Sequence, residues 1–392
     1  MLGSQLQSQS QLMSSSTSHV QGQEEEIPRP QTAFQLRQLL VTCADLISQS
    51  DYSAAKRLLS ILSSNSSPCG DSIERLVYQF VRALSIRLDS HGIPTSTAPA
   101  PHVFSINNIA NTSPPCGTDN KMLNSYDWDQ ETLRSCYLSL NQITPFIRFS
   151  HLTANQAILE AVQGGQQAIH IIDFEIMHGV QWPPFMQALA DRPNNTLYPP
   201  PRLRITGTGH DLNMLHRTGD RLLKFAQSLG LRFLKDDSRE LLLFLHKIKA
   251  LNPKVVTVAE REANHNQPLF LQRFLEALDH YKALFDSLEA TLPPKNRERL
   301  AVEQIWFGRE IMDIVAAEGE GRRERHKKFE TWEMMMKSVG FNKVPLSPFA
   351  LSQAKLLLRL HYPSEGYQLQ ILKNAFFLGW RNHSLFSISS WQ

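Results

Sequence analysis

The sequence predicts an α/β fold, a mainly parallel sheet wrapped by helices and preceded by an N-terminal helical cap. Three observations carry this expectation. Apolar residues recur with helical spacing through the first third of the chain. Short apolar runs bounded by turn residues then alternate with helical segments, the pattern of a parallel sheet. The length of 392 residues accommodates two domains, or one enlarged α/β domain with additions.

Residues 1–30 are built from Gln and Ser with an acidic triplet at Glu24–Glu26, too little apolar surface to offset chain entropy. They are expected to form a disordered tail. Three amphipathic stripes follow: Leu36, Leu39, Leu40, Cys43 and Ile47; then Ala54, Ala55, Leu58, Leu59 and Leu62; then Ile73 through Leu88 without a break. None is stable alone, so they are expected to pack as a bundle within a cap spanning 31–150. Residues 90–120 collect Pro, Ser, Thr, Asn and Gly and predict a long surface loop. Helical patterning returns at Leu133–Phe149 and Leu152–Val162.

An α/β core is expected over 151–392. Ala168–Asp173 reads as a strand buried on both faces. Pro183-Pro184 suits the first turn of a helix through Ala190, and Arg202–Gly207 reads as a second strand. Asp211 is placed to cap a helix ending near Gly230. Leu231–Leu234 predicts a short strand, Leu241–Ile248 a helix and Val255–Ala259 another buried strand. The chain then reads as helical from Pro268 to about Arg359 and ends in two strands, Tyr367–Trp380 and Leu385–Trp391, as a hairpin.

Composition narrows the function. A net charge of +3 gives no global field for nucleic acid or membrane, so any such contact must be local. Cys43, Cys69, Cys116 and Cys136 lie far apart without a CxxC pair, against a disulfide scaffold or a cysteine zinc module. Apolar stretches such as Leu241–Leu245 are far too short to span a bilayer. No Lys or Arg precedes Arg29, against a secretory or transit signal. The expectation is an intracellular, reduced, globular protein.

Ligands of open α/β sheets bind beyond the carboxyl ends of the strands. The first strand delivers Asp173 into Phe174-Glu175-Ile176-Met177-His178-Gly179, whose bulky side chains replace the glycines a dinucleotide or S-adenosylmethionine site requires. Gly207-Thr208-Gly209 is a GxG fragment too short to count as a nucleotide motif and reads as a plain tight turn. Glu260–His265 is a polar cluster that lines a pocket or caps a helix. Asp173, Glu175, His178, Glu260 and His265 offer an acid/base set, but GxSxG, HExxH and paired-Cys spacings are all missing. No catalytic residue, cofactor or metal is expected. A ligand-binding or methyltransferase-like enzyme using the strand-end crevice is the alternative.

Two segments point to binding. Leu36-Arg37-Gln38-Leu39-Leu40 is an LxxLL sequence, able either to lay Leu36, Leu39 and Leu40 into a partner's groove or to pack the bundle. Arg322-Arg323-Glu324-Arg325-His326-Lys327-Lys328 reads as a nuclear import signal or phosphate-contacting patch, or else as a solvated helix face pairing Glu324 with Lys328. Residues 295–392 carry 15 basic and 10 acidic side chains, concentrating positive charge in this half.

From about Gln31 to the C-terminus, the chain resembles the plant GRAS regulators of transcription. The resemblance rests on Ala168-Ile169-His170-Ile171-Ile172-Asp173, a VHIID-type sequence, and the run through Trp182-Pro183-Pro184 that follows it. Pro268, Tyr281, Arg309 and Glu310 match the PFYRE block; Trp332, Gly340, Trp380, Ser389, Ser390 and Trp391 match the SAW block. The C-terminal segments are most similar to the lateral suppressor branch. The resemblance implies a Rossmann-like, methyltransferase-like core under a helical cap, homo- or heterodimerisation, and a nuclear transcription factor or coregulator recruited by other transcription factors such as zinc-finger proteins. It also implies direct DNA binding in some members and a role in axillary meristem initiation and shoot branching; no membrane partner is expected, given the short apolar stretches. Gly321, Arg323 and Lys327 depart from the family's pattern and make that segment more cationic.

Overall fold

A computed structural model describes residues 33–91, 128, 130–162, 166–191, 201–209, 211–229, 231, 233–237, 244–293 and 295–392. The expected tail at 1–30 and almost all of the expected loop at 90–120 lie outside the described residues.

The three stripes become α1 (Ala33–Ser48), α2 (Tyr52–Ser64) and α3 (Ser72–His91). Asp51 caps α2 by accepting the Ala54 amide at 3.0 Å, and Asp71 accepts the Ile73 and Glu74 amides ahead of α3. The return of helical patterning is two helices, α4 (Gln130–Ile143) and α5 (Phe146–Ala161), because Pro145 cannot donate within a continuous helix. One apolar core runs from Leu36 to Ala154 and resumes from Phe274 to Ile388, so the N-terminal helices share their interior with the C-terminal half.

The α/β alternation is as expected: β1 (Ala168–Asp173), α6 (Trp182–Ala190), β2 (Arg202–Gly207), α7 (Leu212–Ser228), β3 (Phe233–Asp237), α8 (Phe244–Ala250) and β4 (Val256–Arg261). Strands β1, β2 and β3 pair in parallel, with Ile171 opposite Ile205. Trp182, Phe185 and Met186 of α6 and Leu215 and Leu222 of α7 pack with Ile169, Ile171 and Leu203 in a second core. Each such burial is worth about 1.5–3 kcal/mol. Strand β1 is nevertheless buried on one face only; Ala168 and His170 are exposed.

The expectation of a mainly parallel sheet needs correction. The larger sheet is antiparallel, in the order β4-β8-β7-β6 with β5 (Lys343–Val344) against β8. Its strands are β6 (Tyr367–Leu372), β7 (Ala375–Trp380) and β8 (His383–Trp391). The stretch Tyr367–Trp380, expected as one strand, is a hairpin turning at Lys373-Asn374, both at positive φ. Asparagine tolerates that conformation, and the pair makes the two-residue loop whose twist suits a hairpin. Strand β4, expected in the parallel set, pairs with β8 instead, Val256 opposite Trp391.

The helical stretch from Pro268 to Arg359 is also interrupted. It comprises α9 (Phe270–Thr291), α10 (Arg297–Ala301), a π-helical turn (Val302–Phe307), α11 (Gly308–Ala316), α12 (Phe329–Ser338) and α13 (Pro348–His361). Residues 322–328 are extended chain, so the helical pairing of Glu324 with Lys328 does not form.

Glu333 of α12 gathers Lys337, Lys343 of β5 and Lys373 of the β6–β7 turn. Its carboxyl is held down at about 2, first by the Lys343 hydrogen bond. A depressed carboxylate stabilises the fold above its unfolded pKa and loses that contribution as pH falls through the folded value. Glu333→Gln is therefore expected to lower stability by about 1–3 kcal/mol at pH 7. The gap between the two proteins should close between pH 4.5 and 2, read by urea titration at each pH.

Candidate functional site

The strand-end crevice is built where β1 turns into the 174–181 segment. Asp173 is drawn inward: its carboxylate accepts the Trp182 indole N–H at 2.9 Å and the Glu175 amide at 3.2 Å. Burial raises its carboxyl above the usual range despite these donors. The Asp173 carbonyl accepts the Thr208 amide at 2.9 Å, and the Ile176 amide donates to the Thr208 carbonyl at 3.2 Å, stitching the ends of β1 and β2 together.

Ile176 packs into the junction of the two strand ends. It is buried, and a Cβ on Gly207 would meet its Cδ1 and Cγ2 at 2.8 Å. Glycine at 207 thus serves an isoleucine rather than a phosphate. Gly179 takes φ +64°, and Thr218 of α7 hydrogen-bonds the Met177 carbonyl at 3.1 Å, fixing the turn against α7. Tyr137 of α4 covers it, 5.4 Å between centroids from both His178 and Trp306.

Glu260 and His265 form a separate constellation at the end of β4. Glu260 accepts the Trp332 indole N–H at 3.3 Å, and burial pushes its carboxyl up to about 7. Arg261 pairs with Glu310 of α11, which also accepts the Tyr281 hydroxyl at 2.9 Å. The His265 and His326 Nδ1 atoms lie 3.0 Å apart, and burial lowers His265 to about 3. At that spacing one ring must be a neutral donor and the other an acceptor. Beside them a cleft of about 480 Å³ is lined by Glu262, Gln272, Glu276, His280, Lys328 and His383. Two of its acids are already engaged, Glu276 by Lys328 at 2.9 Å and Glu262 by the Phe329 amide at 3.2 Å.

The five residues of the possible acid/base set are therefore divided between two places, each fitted with its own partners. Sequence reasoning did not find the Arg261–Glu310–Tyr281 group. An arginine followed 49 residues later by a glutamate carries no local signal; only the fold brings them together.

Chain-wide comparison places this geometry. The family model described as the GRAS domain family matches residues 36–236 and 234–392. The chain belongs to the GRAS domain family. GRAS proteins are plant regulators, and several relatives match most of the chain. Scarecrow-like protein 18 of Arabidopsis thaliana is 51% identical over 91% of this chain and 91% of its own length. Protein MONOCULM 1 of Oryza sativa subsp. japonica is 40% identical over 91% of this chain and 88% of its own. The crystal structure of SCL7 in Oryza sativa superposes with a TM-score of 0.72 at 31% identity, covering 91% of this chain and 99% of that one.

Within this GRAS fold the motif residues make packing and backbone contacts. His170 Nε2 lies 2.9 Å from Thr206 Oγ1, and Ile171 packs in the second core beside half-buried Ile172. Exposed Arg309 lies over the Trp306 ring, 5.1 Å from its centroid. Gly340 turns the chain at φ +89° after α12. Trp380 packs on Tyr367, Ser390 donates to the Val344 carbonyl at 2.7 Å, and Trp391 is fully buried.

The binding segments change character. Leu36 and Leu40 are core residues of α1, and half-buried Leu39 packs against the same cluster. Of the two expectations for Leu36, Leu39 and Leu40, the bundle packing is the one that these contacts form, because its interior needs the same helical stripe. In the basic run, Arg322 is buried and donates to the His265 carbonyl, and Arg325 donates to the Arg322 and Gly319 carbonyls. Lys328 pairs with Glu276. Exposed Arg323 and half-buried Lys327 are the cations of the run left with free side chains among the described residues. No helix among the described residues is long and apolar enough to cross a membrane.

Proposed function

We propose that the chain is a nuclear transcription factor or coregulator that works by docking other proteins on the outer surface of its GRAS domain. The carrying observation is the crevice: buried Ile176 is seated against Gly207 where the ends of β1 and β2 are stitched together, in a turn of bulky side chains that lacks a glycine-rich phosphate loop. Such a core acts as a rigid frame. The order β3-β2-β1 in one sheet and β4-β8-β7-β6 in the other supports reading the two as halves of a Rossmann-like, methyltransferase-like core.

On this reading the helices within 31–150, buttressed by α9 and α11, form the cap that presents partner and dimerisation surfaces. The likeness to the lateral suppressor branch supports a role in axillary meristem initiation and shoot branching, with zinc-finger transcription factors among the partners and modest direct DNA contact.

Arg323 and Lys327 supply the import or phosphate contact of the basic run. Arg323→Ala with Lys327→Ala is expected to lower the nuclear fraction of a fluorescent fusion by about half or more while leaving the melting curve unchanged, as surface changes do. Arg322→Ala should unfold the segment instead. The regulatory reading is tested by tethering the full chain to a foreign DNA-binding domain. Reporter output should change with the tethered chain, and an unchanged reporter in plant cells overturns the proposal.

A further inference from the structure

The turn that plugs the crevice carries, on its outer side, a group of cations not used by the function proposed above. Arg134 projects from α4, and Arg217 and Arg221 project from α7 one helical turn apart. They meet around His178. Arg221 Nη2 donates to the His178 carbonyl at 3.2 Å and to Thr218 Oγ1 at 3.0 Å. Arg217 Nη2 donates to Gln130 Oε1 at 3.1 Å, at the start of α4. The His178 ring leans on Tyr137, one turn along α4 from Arg134.

Three guanidiniums held together repel one another unless an anion joins them. Glu131 is the one carboxylate paired with the group among the described residues, 3.5 Å from Arg134 and itself 81% exposed. Burial and then the charges of Arg134 and Arg217 hold Arg221 below the ordinary arginine value. Among the described residues most of their donors are uncommitted. Each guanidinium has five N–H groups in a planar fork suited to phosphate, yet among the described residues Arg217 and Arg221 each commit only Nη2. The Arg134 Nε is buried without a partner.

The surrounding acids decide which anion fits. Glu131 flanks the cluster, exposed Glu175 lies near Tyr137 beneath it, and Asp211 caps α7 beside Arg217. A duplex laid across this surface would bring phosphates against those carboxylates, whereas a single dianionic group meets only the three forks. We propose that Arg134, Arg217 and Arg221 form a binding site for one phosphomonoester, presented as phosphoserine or phosphothreonine by a partner protein. This rests on the partner-docking function proposed above.

The test probes immobilised degenerate phosphoserine and phosphothreonine peptides, and the same peptides unphosphorylated, with the full-length chain. Retention on the phosphorylated set should be about tenfold higher, should be competed by millimolar inorganic phosphate, and should fall about tenfold in Arg217→Gln with Arg221→Gln, as expected for charge-assisted forks. Both residues are exposed, so the double variant keeps its melting curve. Arg221→Lys, which keeps the charge but not the fork, should fall between the two. Equal retention on both peptide sets overturns the site. So does binding to random duplex DNA or free phosphate alone, or retention unaffected by the double variant. Failure here with the tethered reporter still active removes this site alone; an inactive reporter with phosphopeptide binding intact removes the regulatory function alone.

Discussion

Replacing Glu303 with alanine is expected to cost the fold about 3–5 kcal/mol, the range for removing one partner of a buried ion pair. Glu303 sits on the π-helical turn with a fully buried side chain. Arg75 of α3 meets it with Nε at 2.6 Å and Nη2 at 3.1 Å, and is itself 2% exposed. The pair ties the N-terminal helices to the C-terminal half, and Glu289 extends it by bridging Arg75 and Arg299 at 2.7 and 2.9 Å. Without Glu303, Arg75 keeps only Glu289 and the Gly70 carbonyl. The penalty is mainly that of a buried charge left with too few partners rather than of a lost attraction. Arg75→Met with Glu303→Leu should therefore recover much of the loss, since an apolar pair of similar volume avoids desolvating two ions. Urea titrations of the wild type, the single variant and the double variant decide the matter. A single variant within 1 kcal/mol of wild type would contradict the assignment.

Glu310→Ala is expected to be of similar size, about 3–5 kcal/mol, for the same physical reason. Glu310 is 3% exposed and holds both Arg261 of β4 and the Tyr281 hydroxyl of α9, so one carboxylate joins the antiparallel sheet to two helices. Tyr281→Phe removes a hydroxyl and leaves the ion pair standing; it should cost about 1–2 kcal/mol. Activity offers a second readout. If Glu310 and Tyr281 are structural, reporter output in both variants should follow the folded fraction and return at lower temperature. An inactive but fully folded Glu310 variant would place that residue in a binding surface instead.

Much of the architecture was legible because it rests on period. The stripes of α1, α2 and α3 repeat every three or four residues, and the runs at 168–173 and 202–207 are bounded by turn chemistry, so these elements announce themselves locally. Pairing was not legible. That β4 joins β8 rather than extending the parallel set depends on contacts more than 100 residues apart. The hairpin inside Tyr367–Trp380 was hidden because Lys373-Asn374 is an unusual two-residue turn within an otherwise apolar run. The crowding of the crevice was legible from Phe174, Ile176 and Met177 alone, although only the structure identifies Ile176 as the side chain that fills it. The basic run misled for the opposite reason. Charge along a sequence suggests surface, whereas Arg322 is turned inward to a carbonyl that no local pattern reveals.

The most direct test is calorimetric titration of the full chain with S-adenosylmethionine, together with a nucleotide. With Ile176 seated over Gly207, no saturable heat is expected at any concentration up to millimolar, where binding free energy would be about −4 kcal/mol. Saturable micromolar binding that disappears in Asp173→Ala would contradict the account and return the crevice to the role of a working ligand site.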